Sequence, residues 1–235
     1  MFSRFKKRSN KPERIDTGDY TEDEYDRFLK EIRLINRYAG DRRALKNSLL
    51  AEIERKDLRE FSVLDVGAGS GELLRVCGEF SRRTGKSAKL CGLELSKTAA
   101  GTILESSRGA YEITAVCGDV LQLPFARNSF DYVICSLFTH HFTDDQITEI
   151  LRNISHAARR KIFVIDLHRH PAAYGSFRAI TKLLMISKLV RDDGALSVLR
   201  GFKPRELEEL ALRSGLRDLK VRRSFPFRLI LESGV

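Results

Sequence analysis

A glycine-rich turn is the first feature of the sequence that could do chemistry. Its residues, Asp65-Val66-Gly67-Ala68-Gly69-Ser70-Gly71, follow an apolar run and precede a helical pattern. Glycines let a backbone approach a ligand closely, and the helix that follows offers unpaired N–H groups. A dinucleotide-binding turn would have a third glycine where this chain has Glu72, whose carboxylate would repel a pyrophosphate. The turn therefore indicates a ligand without a pyrophosphate.

Short apolar runs alternate with amphipathic helical patterns downstream of Phe61. This alternation predicts a parallel sheet that is covered by helices on both faces. The runs lie at 63–64, 90–93, 113–116, 132–135 and 162–165. Glu94 ends the second run and Asp119 follows the third. Both carboxylates suit a nucleoside that carries no phosphate.

The segments on either side of this sheet are also patterned. Residues 21–54 show helical periodicity with a break at Gly40, which predicts two N-terminal helices. Beyond the fifth run the pattern predicts a long apolar helix, a polar loop and a second helix, at 172–190, 191–202 and 204–214 respectively. The last two alternating runs, 219–223 and 227–231, are close enough to predict an antiparallel hairpin.

The glycine turn resembles the first motif of the class I S-adenosylmethionine-dependent methyltransferases, and the match continues over about 61–167. The resemblance implies an α/β, Rossmann-like fold: a seven-stranded, mostly parallel sheet with a C-terminal antiparallel hairpin and an N-terminal helical cap. It also implies that S-adenosylmethionine is the cofactor and S-adenosylhomocysteine the product, with Glu94 on the ribose and Asp119 on the adenine amino group. The candidate cofactor-binding residues are Asp65, Gly67, Ala68, Gly69, Gly71, Glu94, Leu95, Asp119, Val120, Ser136 and Leu137.

Four of the five histidines follow the fourth and fifth runs. The strand order of this family implies that these strands are neighbours, so their carboxyl ends should bring the histidines together. A neutral imidazole is a suitable base for a phenol, whose pKa is about 10. The candidate catalytic residues are His140, His141, His168 and Asp166. Helix capping by 139–142 is the alternative interpretation, and no metal is predicted because no recognisable ligand motif occurs.

The methyl acceptor is less closely defined than the cofactor. Residues 135–138 lack the Pro-Pro-aromatic motif of adenine and glutamine N-methylation, and no Pro-Cys pair occurs for attack on cytosine. Segments 35–38, 42–43 and 191–202 resemble a bacterial subgroup of small-molecule methyltransferases linked to phenolic and polyketide products, which implies a polar loop and an N-terminal lid around the acceptor. O-methylation of such an acceptor is our leading hypothesis. A quinone-type C-methyltransferase, an RNA methyltransferase and a non-catalytic binding module are the alternatives.

The helix predicted at 172–190 has more apolar surface than one buried stripe needs, so it could line an acceptor pocket or simply pack in the core. Lys182 and Lys188 on this helix would permit a weak contact with a membrane surface. The partner we expect is therefore a small, apolar or phenolic acceptor. Neither the oligomeric state nor the atom that is methylated follows from the sequence.

Composition limits the remaining possibilities. The 235 residues carry a formal net charge of +10. The first fourteen positions contain six basic residues and one acidic residue, Glu13, so a basic tail accounts for half of the net charge. Nucleic acid is therefore a less favoured partner. We expect a flexible tail over 1–18, a helical cap over 19–58 and a methyltransferase domain over 59–235. The basic start lacks an apolar signal run, which predicts a cytoplasmic protein. The four cysteines are predicted to be free thiols, most of them buried.

Overall fold

The computed structural model describes residues 3–109 and 111–235. Met1 and Phe2 of the expected tail and the side chain of Arg37 in the subgroup resemblance lie outside the described part. A single seven-stranded sheet has the order β3-β2-β1-β4-β5-β7-β6. Its strands are β1 (Glu60–Val66), β2 (Ser87–Glu94), β3 (Ile113–Cys117), β4 (Phe130–Ser136), β5 (Ala158–Leu167), β6 (Leu219–Ser224) and β7 (Arg228–Gly234).

The strand directions agree with the predicted architecture. The pairs β1–β2, β1–β4, β2–β3 and β4–β5 are parallel, whereas β7 is antiparallel to both β5 and β6. This arrangement confirms the Rossmann-like fold class with its antiparallel C-terminal hairpin. From β1 the strands are added outwards to β3 on one side, whereas β4 and β5 follow on the other side. The carboxyl ends of β1 and β4 therefore border a crevice, which is where open α/β sheets bind ligands.

Helices cover both faces of the sheet because the central strands are apolar on both sides. The helices are α1 (Arg14–Thr17), α2 (Glu22–Tyr38), α3 (Asp41–Leu45), α4 (Ala51–Arg55), α5 (Glu72–Thr84), α6 (Lys97–Ser107), α7 (Asp144–Ala157), α8 (Pro171–Leu183), α9 (Lys188–Arg200) and α10 (Pro204–Arg213). A π-helical turn, Lys46–Leu50, joins α3 to α4. Leu64 packs into the core on the face of α7 and α10, and Val63 into the core on the opposite face. Each such buried side chain contributes about 1.5–3 kcal/mol.

The prediction of one long helix over 172–190 is wrong, because the chain turns between α8 and α9. Met185 adopts a positive φ of 49°, and Ser187 caps α9 by accepting a hydrogen bond from the backbone N–H of Val190. The predicted polar loop at 191–202 is therefore mostly helical. Gly194 lies inside α9, where a Cβ would come within 2.2 Å of the Phe177 ring. Its missing side chain permits close packing of the two helices.

The basic N-terminal segment also differs from the expected flexible tail. Residues Ser3–Phe5 form a 3-10 turn, and Phe5 is buried with its ring 5.8 Å from that of Tyr174. Arg8 donates hydrogen bonds to Asp144 and to the carbonyl oxygens of His140 and Phe142. The domain holds the segment from both sides, since Arg169 and Arg200 also donate to the carbonyl oxygens of Phe5 and Lys11.

The cysteines and the apolar character of the helices can be compared with the expectations from composition. Cys77, Cys91 and Cys135 are buried free thiols, whereas Cys117 is free but exposed. Within 3–109 and 111–235, no helix combines the length and the apolar character that crossing a bilayer would demand.

Candidate active site

The glycine turn has the backbone that its composition predicts. Gly67, Gly69 and Gly71 all have positive φ, at 68°, 56° and 73°. A Cβ on Gly67 would come 2.3 Å from the ring of Phe138, whereas a Cβ on Gly69 would meet nothing within 4 Å. The turn thus combines tight packing on one side with an open approach on the other, and α5 begins directly after it.

Two carboxyl groups face this turn from the carboxyl ends of β1 and β2. Glu94 accepts hydrogen bonds from the backbone N–H groups of Gly69 and Leu95. Burial raises the pKa of Glu94, against the effect of these two bonds. Asp65 is only 2% exposed, and its Oδ1 has no hydrogen-bond partner among the described residues. Burial, followed by the nearby charge of Glu94, raises the pKa of Asp65 well above its ordinary value. A ligand that donates a hydrogen bond to Asp65 would satisfy this orphaned atom.

A cavity of about 470 Å³ lies against the turn. Its wall includes the cofactor candidates Asp65, Gly67, Ala68, Gly69, Glu94, Ser136 and Leu137. The other four candidates are elsewhere. Gly71 packs towards Ile103, and Leu95 is 73% exposed. Asp119 accepts a hydrogen bond from Leu121, and Val120 is buried in the core.

The opposite wall of the cavity comes from the expected N-terminal helical cap, of which the sequence named only segments 35–38 and 42–43 for this role. It consists mainly of residues from α2, namely Tyr25, Leu29, Ile32, Arg33 and Asn36, together with Asp41 and Arg42. Residues at the start of α6 also contribute: Thr98, Ala99 and Thr102. The apolar periodicity of α2 was visible in the sequence. Its partner was not, because nothing local says which surface an amphipathic helix covers.

His140 and Asp166 form a buried pair beyond β4 and β5. The His140 Nδ1 to Asp166 Oδ1 distance is 2.7 Å. Asp166 also accepts hydrogen bonds from Thr139 Oγ1 at 2.6 Å, from the His140 backbone N–H at 3.2 Å and from the Leu167 backbone N–H at 2.7 Å. Burial alone would raise the pKa of Asp166, but His140 and these donors hold it well below its usual range. Asp166 is therefore ionised and leaves the Nε2 of His140 for another partner.

His141 pairs with the N-terminal segment. Its Nδ1 lies 3.2 Å from Asp16 Oδ2, and its ring centroid is 4.2 Å from that of His140. Burial acts to lower the pKa of His141, but Asp16 and Glu13 outweigh it and raise the pKa. Glu13 is 3% exposed, and burial raises its pKa. The N-terminal segment thus covers both histidine rings with carboxyl groups.

Glu13, His140 and His141 are also the described residues that could hold a metal ion, since one ligand atom from each lies within 4.8 Å of the other two. Arg200 already supplies positive charge there. Its Nε is 3.8 Å from Glu13 Oε1 and donates to the His140 carbonyl oxygen at 3.0 Å. The guanidinium balances the carboxylate, so the cluster is electrostatically complete without an ion.

His168 and His170 form a second pair with different neighbours. Their ring centroids are 5.4 Å apart, and the ring of His170 stacks on Phe227 at 5.8 Å. Burial, and then the charge of Arg223, lower the pKa of His168 to about 4. The expected single cluster is therefore two pairs, one under the N-terminal segment and one beside the hairpin. None of His140, His141, Asp166 and His168 is on the wall of the cofactor cavity.

Three features define a nucleoside-binding class I methyltransferase fold. They are the strand order, the antiparallel β7, and a glycine turn that faces carboxyl groups at the ends of β1 and β2. Residues 63–161 match the family model described as a methyltransferase domain. This segment is thus a methyltransferase domain, and the chain around it has the fold of the class I S-adenosylmethionine-dependent methyltransferases. No curated protein matches the sequence.

Solved structures share the fold at low sequence identity. Magnesium protoporphyrin IX methyltransferase from Synechocystis PCC 6803, with bound S-adenosylhomocysteine, is 16% identical, with a TM-score of 0.56 over 83% of each chain. A SAM-dependent methyltransferase from Aquifex aeolicus is 14% identical, with a TM-score of 0.59 over 86% of this chain and 97% of the other. Human N-acetylserotonin methyltransferase, in complex with SAM, is 15% identical, with a TM-score of 0.59 over 88% of this chain and 55% of that one.

Proposed function

We propose that this enzyme methylates an oxygen atom of a small phenolic or polyketide-like acceptor. The observation that carries the proposal is the position of α2, which closes the cofactor cavity from the side opposite the glycine turn. A cleft that is narrowed in this way suits a small acceptor better than a folded RNA or a protein surface. Leu29 and Ile32 give this wall an apolar character that suits an aromatic acceptor.

The cavity also fits the cofactor. An amino group would supply the hydrogen bond that Asp65 Oδ1 lacks, and Gly69 leaves open space beside the backbone. Glu94 is available for hydroxyl groups of a sugar. When bound, S-adenosylmethionine supplies an electrophilic methyl group on a sulfonium. The protein's main contribution is to hold the acceptor oxygen in line with that methyl, which is worth about 7–11 kcal/mol in favourable cases.

We assign proton removal to the pair formed by His140 and Asp166. Asp166 holds Nδ1 of His140 as the donor, so that Nε2 retains its lone pair. His140 lies off the wall of the cofactor cavity, so an acceptor bound beside the cofactor would have to extend towards Nε2, where the imidazole would accept its hydroxyl proton. His141 is the second candidate for this role, but its raised pKa leaves less of it in the neutral form that can accept a proton at neutral pH.

The route to His140 passes the N-terminal segment. Glu13 and Asp16 lie against the two histidine rings, and Arg8 bonds to the carbonyl oxygens of His140 and Phe142. We propose that residues 3–17 form a lid that lifts to admit the acceptor. The subgroup resemblance led us to expect a lid from segments 35–38 and 42–43, and we assign this role to residues 3–17 instead.

Two measurements test the function. Calorimetry should detect S-adenosylmethionine and not NADH, and tight NADH binding would contradict the cofactor fit. Radiolabelled S-adenosylmethionine should then label members of a phenol and polyketide panel, with total RNA and a quinone precursor as competing acceptors. Label that enters only RNA, or only carbon, would reject the proposed acceptor while leaving the methyltransferase class intact.

A further inference from the structure

The tip between α8 and α9 is an apolar projection into solvent. We define the apolar tip as the four side chains Ile180, Leu183, Leu184 and Met185, which are 54%, 81%, 58% and 82% exposed. Met185 lies in the turn with a positive φ of 49°, so the tip is held outwards by the backbone of the turn. Four large apolar side chains in six positions are more than scattered surface residues would provide.

Basic side chains surround this tip. Arg178, Lys182, Lys188 and Arg191 line a cleft of about 590 Å³ between α8 and α9, with Asp192 as the one acidic residue on its wall. No ion pair among residues 3–109 and 111–235 engages any of the four cations. We call these four residues the basic collar. Their charge is available to an anionic partner.

The apolar tip is also joined to the wall of the cofactor cavity. Glu31 on α2 accepts a hydrogen bond from the Ser187 backbone N–H at 2.9 Å, and Arg27 donates to the Met185 carbonyl oxygen at 3.4 Å. The neighbouring residues Leu29 and Ile32 of the same helix line the cavity. Whatever binds the tip is therefore connected through one helix to the active site.

We propose that the apolar tip and the basic collar form a docking surface for an anionic lipid bilayer. The collar would bind phosphate headgroups, and the tip would enter the boundary between headgroups and acyl chains. The charge pattern favours this occupant. Apolar side chains next to unpaired cations match a bilayer surface, which is anionic at its headgroups and apolar beneath them. Docking would bring α2 close to a membrane that dissolves apolar acceptors. The inference does not depend on which acceptor the enzyme uses.

Vesicle co-sedimentation tests the proposal with the full chain. We expect binding to vesicles of equal parts phosphatidylcholine and phosphatidylglycerol, weak binding to phosphatidylcholine alone, and release as salt rises. Lys182→Gln with Lys188→Gln should weaken binding about thirty-fold, since each cation near an anionic surface contributes roughly a five-fold gain. Leu183→Ser with Met185→Ser should weaken it about ten-fold or more.

Matched controls make the outcome decisive. Lys56→Gln with Lys89→Gln removes the same charge from exposed positions outside the collar, and Leu212→Ser removes a partly exposed leucine from α10. Both control proteins should bind vesicles as the wild type does, and calorimetry should show that every variant keeps its S-adenosylmethionine affinity. Equal losses in the collar and control variants would overturn the proposal. The proposal would also be overturned if free glycerol phosphate saturated the collar while the protein failed to bind vesicles. A dimer in sedimentation velocity that dissociates in the Leu183→Ser with Met185→Ser variant would overturn it as well.

Discussion

Replacing Asp166 tests the buried pair on which the proposed chemistry depends. The side chain is fully buried and accepts from four donors: Thr139 Oγ1, His140 Nδ1 and the backbone N–H groups of His140 and Leu167. Asp166→Ala would leave these donors unpaired, and each unpaired buried group costs about 1–3 kcal/mol before the site relaxes. We expect a loss of about 3–5 kcal/mol in the free energy of unfolding, the range typical of breaking a buried charged pair. Asp166→Asn keeps the shape and one acceptor oxygen, so it should cost less.

The pH dependence distinguishes the ionised carboxylate from mere packing. Because the folded pKa of Asp166 lies below its unfolded value of about 3.9, its stabilisation is present above about pH 4 and is lost as the pH falls further. Urea unfolding followed by circular dichroism should therefore show a wild-type advantage over Asp166→Asn that is constant near neutrality and shrinks below about pH 4. Asp145→Asn, at an exposed position, is the control. An Asp166→Ala loss below about 1 kcal/mol, or a gap that does not change with pH, would refute the reasoning.

Three further predictions follow from the site. Gly67→Ala forces a Cβ to within 2.3 Å of Phe138 at a positive φ, so the affinity for S-adenosylmethionine should fall at least ten-fold in calorimetry. At Gly85 nothing lies within 4 Å, so the control Gly85→Ala should leave this affinity unchanged. Glu94→Ala should weaken the same affinity by more than Asp119→Ala, since only Glu94 is on the cavity wall, and the reverse order would contradict the observed wall. The pKa of His141 is raised by Asp16, so this contact stabilises the lid below about pH 6.5 and is lost as the pH rises through the folded pKa. Limited proteolysis of residues 3–17 should accelerate with rising pH in the wild type and be fast throughout in Asp16→Asn; a pH-independent wild type would argue against the contact.

The strands of the sheet could be predicted because each of them is marked by a pattern in a few neighbouring residues. Each parallel strand is a short apolar run between helical patterns, and all seven strands form where the sequence places them. The break between α8 and α9 was missed because the signals that mark it are weak. Ser187 is one possible cap among many serines, and neither glycine nor proline stands in the turn.

The cofactor half of the site was also largely visible in advance. The glycine turn and Glu94 can be recognised because backbone conformation at glycine and the residue that ends a strand are properties of a few neighbouring positions. The contact of Asp119 with adenine stays a prediction: its Oδ1 accepts a hydrogen bond in the turn that follows β3, and the residue is not on the cavity wall.

Local patterns thus predict the strands, most of the helices and the glycine turn, whereas the strand order came from the family resemblance. The arrangement around the acceptor depends on contacts between distant residues: Asp16 meets His141 across 125 positions, and Arg8 meets the His140 carbonyl across 132. Such pairs form only when the whole core has assembled, because a few hydrogen bonds cannot offset the entropy of closing so long a loop. For this reason only the folded chain reveals that the basic N-terminus is a cover and that the histidines divide into two pairs.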